Sequence, residues 1–102
     1  MLNKNVIFSE PPKNISIENE ANGFIYITQN RLLTLECSVE DGVPPTNISL
    51  LKDNTTLASN TSTFISLIVN ATKEVDQSTF ICLASNQFYT LQRKVQLCVF
   101  SK

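Results

Sequence analysis

Leu33, Leu35, Cys37 and Val39 occupy every second position while Thr34, Glu36 and Ser38 lie between them. A period of two with one apolar set is the mark of a β-strand that buries a single face. The same alternation returns at Phe80, Cys82 and Ala84. Cys37 and Cys82 therefore stand on the inward parity of two strands with 44 residues between them, the arrangement two packed sheets need if a disulfide is to cross the core. The third cysteine, Cys98, lies between Leu97 and Val99. Those two neighbours take the inward parity, so Cys98 faces away. One bridge and one leftover thiol is the expected count.

The rest of the chain reads as β throughout, with short alternating runs set apart by Pro, Asn, Asp and Ser clusters and no sustained helical period. An interrupted first strand is expected at Asn5–Ser9 and Asn14–Glu18, broken by Pro11-Pro12 as prolines break an edge. Phe24–Thr28 is expected to continue that edge after a turn at Asn19–Gly23. Further strands are expected at about Asn47–Lys52, Thr63–Asn70, Thr79–Ser85 and Leu91–Val99, with Thr55–Thr61 a weak polar stretch. Ile48, Leu50, Ile65, Leu67, Val69, Val95 and Leu97 share the inward parity.

A length of 102 residues with 42% hydrophobic content suits one domain, 1–102, in which residues 1–5 read as a linker or an added start. Met1-Leu2-Asn3-Lys4 leads straight into strand-like sequence, so an export signal is expected upstream. A net charge of -1 gives no basic surface for nucleic acid, and no apolar run approaches a membrane-spanning length. No histidine is present, so three cysteines make no zinc site. Glu18, Glu20, Glu40, Asp41 and Asp53 are scattered without calcium-loop spacing. Asp76 with Ser78 lacks a base and an oxyanion hole. Neither an enzyme nor a cofactor or metal site is expected. Five asparagines, Asn14, Asn47, Asn54, Asn60 and Asn70, head N-x-Ser/Thr acceptor triplets, an excess over chance that favours an extracellular, glycosylated protein.

Around the second cysteine, Asp76-Gln77-Ser78-Thr79-Phe80-Ile81-Cys82 resembles the Asp-x-Gly-x-Tyr-x-Cys signature of immunoglobulin domains. Leu67-Ile68-Val69 is similar to the family's Leu-x-Ile strand, and Cys82-Leu83-Ala84-Ser85-Asn86 to the Cys-x-Ala-x-Asn ending of intermediate-set adhesion domains. Ile48–Asn54 resembles the strand and turn that carry the core tryptophan, with Leu50 in its place. Phe80 replaces the tyrosine of the corner and Ser78 the glycine. The resemblance runs from about Leu33 to Val99 and implies an all-β, two-sheet Greek-key sandwich of about seven antiparallel strands, intermediate-set or constant-like. It also implies a binding module of a cell-surface adhesion or immune-type receptor that recognises a protein ligand, a surface receptor or a second copy of itself, beside neighbouring domains of the same chain. A growth-factor or cytokine receptor domain and an intracellular structural domain are the alternatives.

Parity also nominates a contact face. With Ile48, Leu50, Cys82, Val95 and Leu97 inward, Leu51, Ile81, Leu83 and Cys98 point outward on neighbouring strands, an expected exposed apolar patch. Asn47 shares that outward parity, so a glycan there would shield part of it, while Asn54, Asn60 and Asn70 are expected on turns or the opposite sheet. Cys98 is expected to be a packed surface thiol, a partner for a cysteine elsewhere, or a reactive group.

Overall fold

The computed structural model describes residues 8–101. Its strands are β1 (Lys13–Ile17), β2 (Phe24–Thr28), β3 (Leu32–Glu40), β4 (Asn47–Lys52), β5 (Thr55–Thr61), β6 (Phe64–Asn70), β7 (Thr79–Ser85) and β8 (Thr90–Phe100). One 3-10 turn, Lys73–Val75, joins β6 to β7. Three strands pair in the order β1-β3-β6 and five in the order β2-β8-β7-β4-β5. The two sheets enclose one apolar core.

The alternation around Cys37 and Cys82 sets the core. Leu35, Cys37, Ile48, Leu50, Phe80, Cys82, Val95 and Leu97 are fully or almost fully buried, and Cys37 is bonded to Cys82 across the two sheets. Leu50 stands directly opposite Cys82 in the β4–β7 ladder. Burial at every second residue of β3 follows the expected parity from Leu33 to Val39.

Two expectations change, and a third falls largely outside the described residues. The first expected strand segment, from Asn5, lies largely outside the described residues, and β1 begins at Lys13. Phe24–Thr28 does not continue the edge of β1. It crosses to the other sheet and runs parallel to β8, with Tyr26 opposite Cys98, so the sandwich is not wholly antiparallel. The crossing is made at Asn19 and at the Asn22-Gly23 turn, all in the left-handed region, where asparagine and glycine meet the least steric resistance. The polar stretch Thr55–Thr61 is a full strand, β5, paired to β4. The cause is local: Lys52 pairs with Thr55 across Asp53-Asn54, and both loop residues have positive φ. That is the geometry a two-residue hairpin requires, and it fastens β5 to the strand just before it.

Candidate protein-binding face

The outer face of the five-stranded sheet is built from the register of its central strands. Leu51 lies opposite Ile81 and Ser49 opposite Leu83, while Ile81 and Leu83 lie opposite Lys94 and Gln92. These positions alternate with the buried set Ile48, Leu50, Cys82 and Ala84, so Leu51, Ile81 and Leu83 face outward together. Cys98 shares this parity farther along β8, beside Tyr26 on the edge strand β2. Cys98 forms no disulfide and is half-buried.

The expected exposure is not what the face offers. Ile81 is only 8% exposed, and Leu51, Leu83 and Cys98 are half-buried. Ile81 sits mid-strand on β7 with Leu51 on one side and Lys94 on the other. On a central strand, directly opposed side chains stand close enough to close over the one between them, and a lysine stem covers apolar surface while its ammonium stays in water. The exposed apolar groups lie instead at the β2–β8 edge, where Tyr26 is 63% and Phe100 51% exposed. The rings of Phe24 and Tyr26 stack at 6.0 Å. Alternation in the sequence assigns each of these residues a parity within its strand but not the sheet that strand joins.

Polar contacts hold the borders of the face. Ser49 and Ser59 share a hydroxyl hydrogen bond of 3.0 Å, and Thr61 donates to Asn47 at 3.3 Å, tying β5 to β4. Arg93 grips Glu20 through two nitrogens at 2.9 and 2.7 Å, while the Gly23 N–H also donates to Glu20. The Gly23 N–H and Arg93 together hold the Glu20 carboxyl below its usual range. At one end of the sandwich the Asp41 carboxylate accepts from the Gly42 and Thr46 N–H groups, each at 2.9 Å. Asn86 reaches the carbonyls of Glu10 and Pro44 at 2.8 and 3.1 Å. Gly42 is wedged here, where a Cβ would stand 2.6 Å from the Glu10 carbonyl oxygen.

Asp41 gives this end a pH signature. Hydrogen bonds from Thr46, then from Gly42, hold its carboxyl below the usual carboxylate range. A depressed folded value means that the stabilisation is complete above the unfolded value of about 3.9 and disappears as pH falls through the folded one. Asp41→Asn is expected to flatten this acid limb of a stability-against-pH curve measured by urea unfolding. An unchanged acid limb in Asp41→Asn would show that the end loop does not depend on the charge.

Residues 11–99 match the immunoglobulin domain family. The chain belongs to the immunoglobulin domain family. Among solved structures, the immunoglobulin domain is similar to Rst D1-D2, with a TM-score of 0.74 and 20% identity over 90% of this chain and 51% of that one. It is similar to the mouse leukocyte-associated immunoglobulin-like receptor 1 domain, with a TM-score of 0.60 and 20% identity over 78% of this chain and 90% of that one. A chimeric titin Z1Z2 has a TM-score of 0.67 and 16% identity, covering 93% of this chain and all of that one. Such identities establish a common fold.

The family motif is realised with substitutions that the structure explains. Leu50 fills the tryptophan position against Cys82 with no exposure. Phe80 is buried at the tyrosine position, and its side chain has no hydroxyl to tie the corner. Asp76 instead accepts from the Val99 N–H at 2.8 Å. The left-handed residue of this turn is Gln77, one place before the motif's glycine, so Ser78 needs no positive φ. Between Lys52 and Thr63 the immunoglobulin domain places its strand on the five-stranded sheet, whereas a constant-type arrangement puts a fourth strand on the other sheet.

All five sequon asparagines are exposed. Asn14 lies on β1 and Asn70 ends β6, both on the three-stranded sheet. Asn47 starts β4 and Asn54 occupies the β4–β5 turn. Asn60 corrects the expectation: it is on β5, the edge strand of the five-stranded sheet, neither in a turn nor on the opposite sheet. The hairpin turn that captures β5 is the reason. No sequon falls on β2, β7 or β8.

Proposed function

We propose that this immunoglobulin domain, residues 1–102, is an extracellular binding module of a cell-surface adhesion or immune-type receptor. In this reading it is one unit of a longer chain and contacts a protein partner through the outer face of its five-stranded sheet. It binds without catalysis. One observation carries the reading: every acceptor asparagine is exposed, and none lies on the strands that carry Tyr26, Ile81, Leu83, Cys98 and Phe100. Sugars on Asn14 and Asn70 would cover the three-stranded sheet, and those on Asn47, Asn54 and Asn60 the β4–β5 border. The β2–β8 half is then the protein surface left bare for a partner, with aromatic groups of the type enriched in contact sites. The Cys37–Cys82 bridge supports an oxidising compartment.

The fold similarity to titin supports a second reading, an intracellular structural domain in which Cys37 and Cys82 stay reduced. A growth-factor or cytokine receptor domain would differ in binding a soluble ligand. Secretion from animal cells behind a supplied signal peptide tests the compartment. The expected product is released, loses mass on enzymatic removal of N-glycans at several of the five sequons, and has Cys37 and Cys82 oxidised. Retention in the cell, or release with every sequon bare, would overturn the extracellular reading.

A further inference from the structure

The free edge of the three-stranded sheet carries an unguarded strand, and the geometry points to a second copy of this chain as its occupant: β6 pairs antiparallel with β6 of another molecule, centred on Leu67. Because β5 joins the other sheet, β6 has a neighbour on one side only. Natural sheet edges are normally protected by proline, charge, bulges or shortness. The β1 edge has Pro11 and Pro12 before it and a register shift between Lys13 and Ser16. The β5 edge is mostly polar and has a register shift against β4, and β2 is five residues long. In contrast, β6 is seven residues, Phe-Ile-Ser-Leu-Ile-Val-Asn, without charge or proline, and it pairs with β3 in unbroken register.

Backbone parity selects the partner's direction and register. The Val39 N–H donates to the Thr63 carbonyl and the Ala71 N–H to the Arg31 carbonyl. In the same register these make Ile65, Leu67 and Val69 the residues bonded to β3. Ser66 and Ile68 consequently direct both N–H and C=O to the open edge. An antiparallel copy centred on Leu67 places Ser66 opposite Ile68 and Phe64 opposite Asn70, so that open groups meet open groups over the whole strand. The ends fit as well. Phe64 already donates its N–H to Ser62 Oγ, and Asn70 already uses its carbonyl for Thr72, leaving the Phe64 carbonyl to accept from the Asn70 N–H of the second copy.

Side chains supply the second, independent observation. Ile68 is 66% and Phe64 48% exposed on the outer face, a poor place for large apolar groups in a lone sheet. In the paired register, Phe64 becomes the diagonal neighbour of Ile68 of the second copy, close enough to cover it. The contact is two-fold and therefore closes at a dimer. It leaves the five-stranded face free, and it applies to protein whose Asn70, at the end of β6, carries no sugar.

Sedimentation against concentration tests the pairing in protein carrying Asn70→Gln, because a sugar on Asn70 would stand over Phe64 of the second copy. A reversible dimer is expected. Ile68→Lys and Ile68→Glu, each at an exposed site and each checked for unchanged thermal unfolding, are expected to weaken it at least about tenfold by placing like charges diagonally across the axis. Mixing the two variants is expected to restore a heterodimer. A protein that stays monomeric up to about 1 mM, or a dimer indifferent to Ile68→Lys, would overturn the proposal. A dimer lost in both variants and not restored by mixing would overturn the register centred on Leu67. None of these outcomes touches the secretion test above.

Discussion

Replacing Cys37 and Cys82 together by alanine is expected to lower the unfolding free energy by about 2–5 kcal/mol. The bond closes a sequence separation of 45 residues, and without it the unfolded chain regains the conformational freedom of that loop. Both cysteines are fully buried, so the alanine pair also leaves a small void between the sheets. Against a total stability of about 5–15 kcal/mol for a domain of this kind, the loss is large enough to see as a shift in the urea midpoint. Cys98→Ala is the control. Its thiol is half-buried and unpaired, and its removal is expected to cost less than about 1 kcal/mol. Equal losses for Cys98→Ala and the double variant would mean that the intersheet bond does not restrict the unfolded chain as argued.

Leu50→Ala is expected to cost about 2–5 kcal/mol, the range for emptying a core leucine site. Leu50 has no exposure and stands opposite Cys82, where the family's larger indole is missing and one branched side chain fills the space over the bridge. Neighbouring strands anchored in two sheets cannot collapse far into the gap, which places the cost above a bare transfer estimate. Leu51→Ala one residue on removes a half-buried side chain from the outer face and is expected to cost about 1 kcal/mol or less. Chemical denaturation of both variants checks the order. If Leu51→Ala proved the costlier, the parity of β4 would have to be reversed.

Much of the architecture was legible because period-two alternation is a local property. Leu33 to Val39, Phe80 to Ala84 and Val95 to Leu97 each declare an inward face in their own residues, and Cys37 with Cys82 links two of those faces. The boundaries of β4 and β7 follow the sequence for the same reason. The candidate face was legible only in part. The outward parity of Leu51, Ile81, Leu83 and Cys98 was readable, but the burial of Ile81 was not, since it depends on Leu51 and Lys94 from two other strands. Tyr26 could not be placed beside Cys98 without knowing that β2 changes sheet.

The division follows from range. Parity, turn chemistry at Asp53-Asn54 and Asn22-Gly23 and the acceptor triplets depend on residues a few positions apart, and the sequence by itself determined them. Which sheet β2 and β5 join, and hence which edge stands open and which aromatic groups share a face, depends on pairings between distant strands. A strand's own residues specify its buried side but not its neighbour, and only the tertiary structure decided that β6 would be left with an open flank.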